Sequence, residues 1–179
     1  MAEAPRWGIV GYGWVARDYM APGIAAAGGR VTAVADPSLA SRVRAEGNGL
    51  AAFASVEDML AAGICDLVYV ATPNDAHAAP VAACAAAGVP VLCEKPIAAT
   101  VQQAEAMAAS LGDTLYGTAF DQRHHPAHVA MAEAIAGMTA VTVAAVHGHC
   151  IGGGVVLAAS YEAKAFGVRG GMSGWAAKE

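Results

Sequence analysis

Gly11, Gly13 and Ala16 stand in the spacing GxGxxA, directly after the apolar run Trp7-Gly8-Ile9-Val10 and directly before a segment of helical character. Each small residue has a physical reason in a strand that turns sharply into a helix. The first glycine permits the tight turn, the second lets a phosphate approach the backbone, and Ala16 lets helix and strand pack closely. The helix start then presents unpaired N–H groups and the positive end of its dipole to an anion. Glycines alone also suit ordinary strand-to-helix turns, so a second feature is needed. Asp36 supplies it at the end of the next apolar run, Val31-Thr32-Ala33-Val34-Ala35, where a carboxylate can accept hydrogen bonds from an adenosine ribose. Alone, such an aspartate reads more simply as a turn residue. Together the two features point to a dinucleotide, with Gly11, Gly13, Trp14 and Ala16 at the pyrophosphate and Asp36 at the ribose. A carboxylate there repels the 2'-phosphate of NADP and favours NAD, although Ser38, Ser41 and Arg42 could cradle that phosphate, so NADP stays open.

The next hundred residues alternate short Val/Ile-rich runs with alanine-rich helical segments, the pattern of βα units feeding a parallel sheet. Strands are expected at Trp7 to Val10, Val31 to Ala35, Ala52 to Phe53, Asp66 to Ala71, Val89 to Cys93 and Thr114 to Ala119, with helices between them. The fold class is therefore α/β, a Rossmann-type doubly wound parallel sheet with an incomplete C-terminal extension. Gly23, Gly29, Gly47, Gly63, Gly88 and Gly112 are placed to end helices, and Asn74 or Asp75, Ser55 and Thr100 to begin them. The chain's 179 residues suit one ordinary domain, set at 1–138, with 139–179 as a remainder too short to form another. A net charge of -5 gives no cationic field for nucleic-acid phosphates or anionic lipid.

Three further segments carry a resemblance: Ala71-Thr72-Pro73-Asn74 with His77, Cys93-Glu94-Lys95-Pro96, and Asp121-Gln122-Arg123-His124-His125-Pro126. With the glycine turn, they resemble the Gfo/Idh/MocA oxidoreductases, the glucose-fructose oxidoreductase and inositol dehydrogenase family, from about Arg6 to Gly137. The resemblance implies that Thr72, Pro73, Asn74, His77, Glu94, Lys95 and Arg123 lie with the cofactor beside its nicotinamide. It also implies that Lys95 contacts the substrate hydroxyl as the catalytic residue and that Lys95–Pro96 is a cis bond. The substrate implied is a sugar or polyol oxidised at a CH–OH group. Left to themselves, Lys95 reads as a solvated surface lysine and His77 as a packing histidine. No metal site is expected, since His124 and His125 point to different sides of any helix or strand.

Past Gly137 the pattern changes. The family's second domain, with its aspartate and histidine pair, has no counterpart here, so the chain is expected to lack the complete catalytic half and either to act with a partner subunit or to bind NAD(P) without chemistry. Thr139 to Val146 reads as a strand. Ala144 to Gly154 resembles the oxyanion-hole turn of the enoyl-CoA hydratase (crotonase) family, and Val155 to Arg169 the fingers segment of Y-family DNA polymerases, each a fragment without its catalytic partners. Residues from about Gly148 are expected to pack poorly. Ala134 to Tyr161 carries no Asp, Glu, Lys or Arg, but His147-Gly148-His149 and three successive glycines in it argue against a membrane span. The N-terminus lacks a signal-peptide apolar core, so a cytoplasmic location is expected. The four cysteines form no CxxC pair. An uncovered sheet face or edge would favour association, as a homo-oligomer or with a partner.

Overall fold

The computed structural model describes residues 3–136. Six strands, β1 (Arg6–Val10), β2 (Arg30–Ala35), β3 (Ala51–Phe53), β4 (Leu67–Val70), β5 (Val91–Glu94) and β6 (Tyr116–Ala119), pair in parallel in the order β3-β2-β1-β4-β5-β6. Between them run α1 (Ala21–Ala26), α2 (Leu39–Gly47), α3 (Val56–Ala61), α4 (Ala78–Ala86) and α5 (Val101–Ser110), and α6 (Pro126–Ala136) follows β6. The strand order reverses between β1 and β4, which opens a crevice at the carboxyl ends of those strands.

Alternation along the central strands sends apolar side chains to both faces of the sheet. Val10, Ala33, Ala35, Val68, Val70, Val91 and Cys93 form one core with Met59 of α3, Val81 and Cys84 of α4 and Met107 of α5. Ile9, Val34 and Tyr69 form another with Ala16 and with Ala45 of α2. Two layers of helix on one sheet make the doubly wound α/β architecture expected.

All six expected strands are present; β1, β2 and β3 each begin one residue earlier than expected, and β4, β5 and β6 begin later. Asp66 falls outside β4 because its carboxylate accepts from the backbone N–H and guanidinium of Arg6. Thr114 falls outside β6, with its hydroxyl on the Ala85 carbonyl at 3.4 Å. Ser55 and Thr100 cap α3 and α5 as expected, accepting from the backbone N–H groups of Asp58 and Gln103. Asn74 and Asp75 cap nothing: they lie inside a 3-10 turn, Asn74–Ala76, that opens on Pro73, and α4 starts after His77 without a side-chain cap. Gly63, Gly88 and Gly112 take the expected positive φ, whereas Gly28 and Gly49 take it in place of Gly29 and Gly47, and Gly23 lies inside α1. At Gly29 the reason is packing, because a Cβ there would sit 2.8 Å from Nε1 of Trp7.

The helical run after β1 holds a feature the sequence pattern does not announce, a π-helical turn over Ala16–Met20. Pro22 stands just beyond it, in the first turn of α1. A proline has no N–H to donate and its ring crowds the preceding turn, so a widened turn accommodates it.

The chain divides after Phe120, leaving Asp121–His124, a 3-10 turn, and α6 in a second unit. The boundary at 138, the strand from Thr139, the crotonase-like and polymerase-like segments and the expected poor packing from Gly148 all lie outside the described residues, as does most of the charge-free stretch Ala134 to Tyr161. Among the described residues no helix is long and apolar enough to cross a membrane.

Candidate functional site: a cofactor crevice at the strand ends

The glycine turn leaves β1 through Gly11, whose N–H donates to the Ala35 carbonyl at 2.9 Å and whose φ is 87°. A Cβ at Gly11 would lie 2.8 Å from the Ala71 carbonyl oxygen, so the turn is pressed against the end of β4 and admits no side chain. Gly13 differs, because a Cβ there would have no atom within 4 Å. Among the described residues nothing requires a glycine at that position, and the space a side chain would fill lies beside the start of the helix. The first helical hydrogen bond runs from the Arg17 N–H to the Gly13 carbonyl, and no side chain caps this helix start. An open cradle beside loose backbone N–H groups fits a pyrophosphate. Ala16, fully buried in the second core, lets the helix lie close to the sheet, while Trp14 is 63% exposed with its ring edge-on to Tyr19.

Asp36 sits at the carboxyl end of β2, 9% exposed. One carboxylate oxygen accepts from the Tyr12 N–H and the other from the Ser38 N–H, both at 2.8 Å. The aspartate thus ties the glycine turn to the β2–α2 turn, and its carboxylate has lone pairs left to accept further hydrogen bonds. Tyr12, the residue between the two glycines, is buried with its hydroxyl accepting from the Asn48 side chain. Arg42 places Nη1 2.8 Å from the carbonyls of both Asp36 and Pro37, so it braces this turn. Ser38 caps α2 by accepting from the Ser41 N–H.

Across the crevice, the ends of β4 and β5 are held by side-chain hydrogen bonds. Thr72 donates its hydroxyl to the Ala76 carbonyl, and Pro73 and Asn74 stand exposed at the start of the 3-10 turn. Glu94 accepts from the Tyr69 hydroxyl at 2.6 Å and from the Lys95 N–H at 3.0 Å. Lys95 itself is exposed, and its bond to Pro96 is cis. Beside Glu94, burial pushes the Cys93 thiol up to about 11, which keeps it un-ionised. His77 has a different place from the cofactor contact expected of it. The ring is fully buried, with Nε2 2.9 Å from the Thr72 carbonyl and Nδ1 3.1 Å from that of Pro96. Arg123 belongs to the second unit, exposed in its 3-10 turn.

The first unit therefore gathers Gly11, Gly13, Trp14, Ala16, Asp36, Thr72, Pro73, Asn74, Glu94 and Lys95 at the carboxyl ends of β1, β2, β4 and β5. Sequence reasoning passed over Tyr12, Asn48 and Tyr69, which hold this edge in place. For Tyr12 and Tyr69 the local signal is an aromatic residue at an inward turn or strand position, and for Asn48 its place at the end of α2. Among the described residues no group of three or more His, Cys, Asp or Glu side chains gathers as a metal site would require.

Comparison with known proteins identifies the family and its fold. Residues 5–114 match the family GFO_IDH_MocA, described as an oxidoreductase family with an NAD-binding Rossmann fold. The chain is 39% identical over 99 residues to the rhizopine catabolism protein MocA of Rhizobium meliloti, covering 55% of this chain and 31% of that one. It is 37% identical over 135 residues to the 1,5-anhydro-D-fructose reductase of Ensifer adhaerens, covering 73% and 40%. Among solved structures, the WlbA dehydrogenase of Bordetella pertussis, in complex with NADH and UDP-GlcNAcA, superposes with a TM-score of 0.69 at 25% identity over 75% of this chain and 40% of that one. The chain thus spans 31% to 40% of the length of the two curated relatives.

Proposed function

Because the chain belongs to the GFO_IDH_MocA oxidoreductase family and carries its NAD-binding Rossmann fold, we propose that its first unit, residues 3–120, holds the cofactor for oxidation or reduction of a sugar or polyol at a CH–OH group. The observation that carries this reading is the glycine turn, where Gly13 leaves open space beside an uncapped helix start while Asp36 fixes the turn from behind. In this reading NAD, when bound, supplies the hydride acceptor or donor. Gly11, Gly13 and Ala16 bring backbone N–H groups to the pyrophosphate, and Asp36 takes the adenosine ribose. Thr72, Pro73 and Asn74 flank the other half with Glu94, which holds the Lys95 backbone. Lys95, exposed at the end of β5, orients the substrate hydroxyl and stabilises negative charge on its oxygen as the C–H bond breaks.

NAD is favoured over NADP on two counts. The Asp36 carboxylate opposes a 2'-phosphate, and Arg42, the nearby cation expected to welcome one, is engaged on two backbone carbonyls. A calorimetric titration with NADH and NADPH tests this, with NADH expected to bind tighter by about tenfold or more. Equal affinity for the two would refute the assignment of Asp36 and Arg42.

A further inference from the structure

The proposed use of NAD leaves one buried polar side chain unexplained. His77 is fully buried, yet each ring nitrogen faces a main-chain carbonyl, and the two carbonyls belong to different loops. Nε2 lies 2.9 Å from the carbonyl of Thr72, in the loop after β4. Nδ1 lies 3.1 Å from the carbonyl of Pro96, in the loop after β5, with the Ile97 carbonyl at 3.4 Å. A neutral ring donates to one of these carbonyls, as its tautomer selects, and a doubly protonated ring to both. A packing residue at a place this dry would more simply be apolar, since a buried imidazole is costly unless its nitrogens are used.

The sheet order says what lies above those loops. With the pyrophosphate at the end of β1 and the adenosine ribose at Asp36 on the β2 side, the remaining half of a dinucleotide extends over the ends of β4 and β5. Asn74 follows Thr72 by two residues, and Lys95 directly precedes Pro96. We infer that His77 is a positioning residue that ties the β4 and β5 loops together from beneath, setting Asn74 and Lys95 for the nicotinamide half of the cofactor without touching it. The inference rests on the proposed binding of NAD.

The test compares two ligands on the full chain. ADP occupies the adenosine and pyrophosphate places alone, whereas NADH occupies both halves. Calorimetric dissociation constants for each are measured on wild type, His77→Ala and His77→Phe, with melting temperatures alongside. The phenylalanine variant keeps the ring volume and removes both polar contacts, so it guards against loss of the fold in the alanine variant. The expected result is ADP affinity within about twofold of wild type and NADH affinity lowered about tenfold, the effect of one lost buried hydrogen bond. A merely structural histidine would lower both affinities by the same factor or leave both unchanged, and either result in His77→Phe overturns the inference. Failure of the wild type to bind either ligand would instead overturn the NAD reading beneath it.

Discussion

Helix starts in the first unit fall into two groups. The helices α2, α3 and α5 begin on Ser38, Ser55 and Thr100, whose side-chain oxygens accept from a backbone N–H of the first turn. The helical run after β1 and the helix α4, which follows the β4 loop, begin with no side-chain cap. These two flank the β1–β4 reversal in strand order. The capped starts satisfy their own N–H groups and need nothing further. At the crevice the chain instead spends its short polar residues on carbonyls and on loop geometry, as Thr72 does toward Ala76 and Asp36 toward Tyr12 and Ser38. Loose N–H groups, an open Gly13 and an acidic strand end thus coincide at one edge, which separates a binding edge from helices that merely cover a sheet.

The largest break in that contrast is expected at Gly11. Gly11→Val forces a side chain into the Ala71 carbonyl from a backbone at φ 87°. It should cost roughly 3 kcal/mol in urea unfolding, at the upper end of ordinary point substitutions. Next comes Asp36→Ala, which strips the buried Tyr12 N–H and the Ser38 N–H of their acceptor. A loss of about 2 kcal/mol is expected by the same measurement, accompanied by loss of NADH binding. At the capped helices the signature should be different. Ser55→Ala or Thr100→Ala should each lower stability by about 1 kcal/mol and leave the NADH dissociation constant unchanged, and a change in that constant would erase the distinction between the two groups.

The smallest effect is at the amino end of the sheet, away from the crevice. There the Arg6 guanidinium and backbone N–H hold the exposed Asp66 carboxyl down to about 2 from its ordinary 3.8. A carboxyl that titrates lower when folded contributes fully above its unfolded value and loses that contribution as pH falls through its folded one. Acid unfolding between about pH 4 and pH 2 should therefore be shallower in Asp66→Asn, as followed by circular dichroism, and an identical profile would remove the pair from the account.

Much of this molecule is legible without coordinates because the informative contacts are local. Val/Ile-rich runs locate β1, β2, β4 and β5, shorter apolar stretches locate β3 and β6, and Ser55 and Thr100 announce their helices three residues ahead of the N–H groups they accept from. Gly11 and Asp36 declare the crevice because strand, turn and helix follow one another directly. What the sequence hides depends on residues far apart along the chain. The burial of His77 depends on Pro96, 19 residues on, and the bracing role of Arg42 depends on how the chain turns at Pro37. Asn74 and Asp75 look like caps by type, and only the 3-10 turn opening on Pro73 shows that neither is one.

Trp14, exposed beside Gly13, offers the most direct measurement of the central claim, that this edge is a working NAD site. Its fluorescence would be followed while NADH is added to wild type and to Gly13→Val. Among the described residues a Cβ at Gly13 meets no atom within 4 Å, so the variant should keep its stability within about 0.5 kcal/mol. Saturable quenching is expected in the wild type and an affinity at least about tenfold weaker in the variant, because the side chain fills the space proposed for a phosphate. Equal quenching curves for the two proteins, or none in the wild type, would contradict that claim.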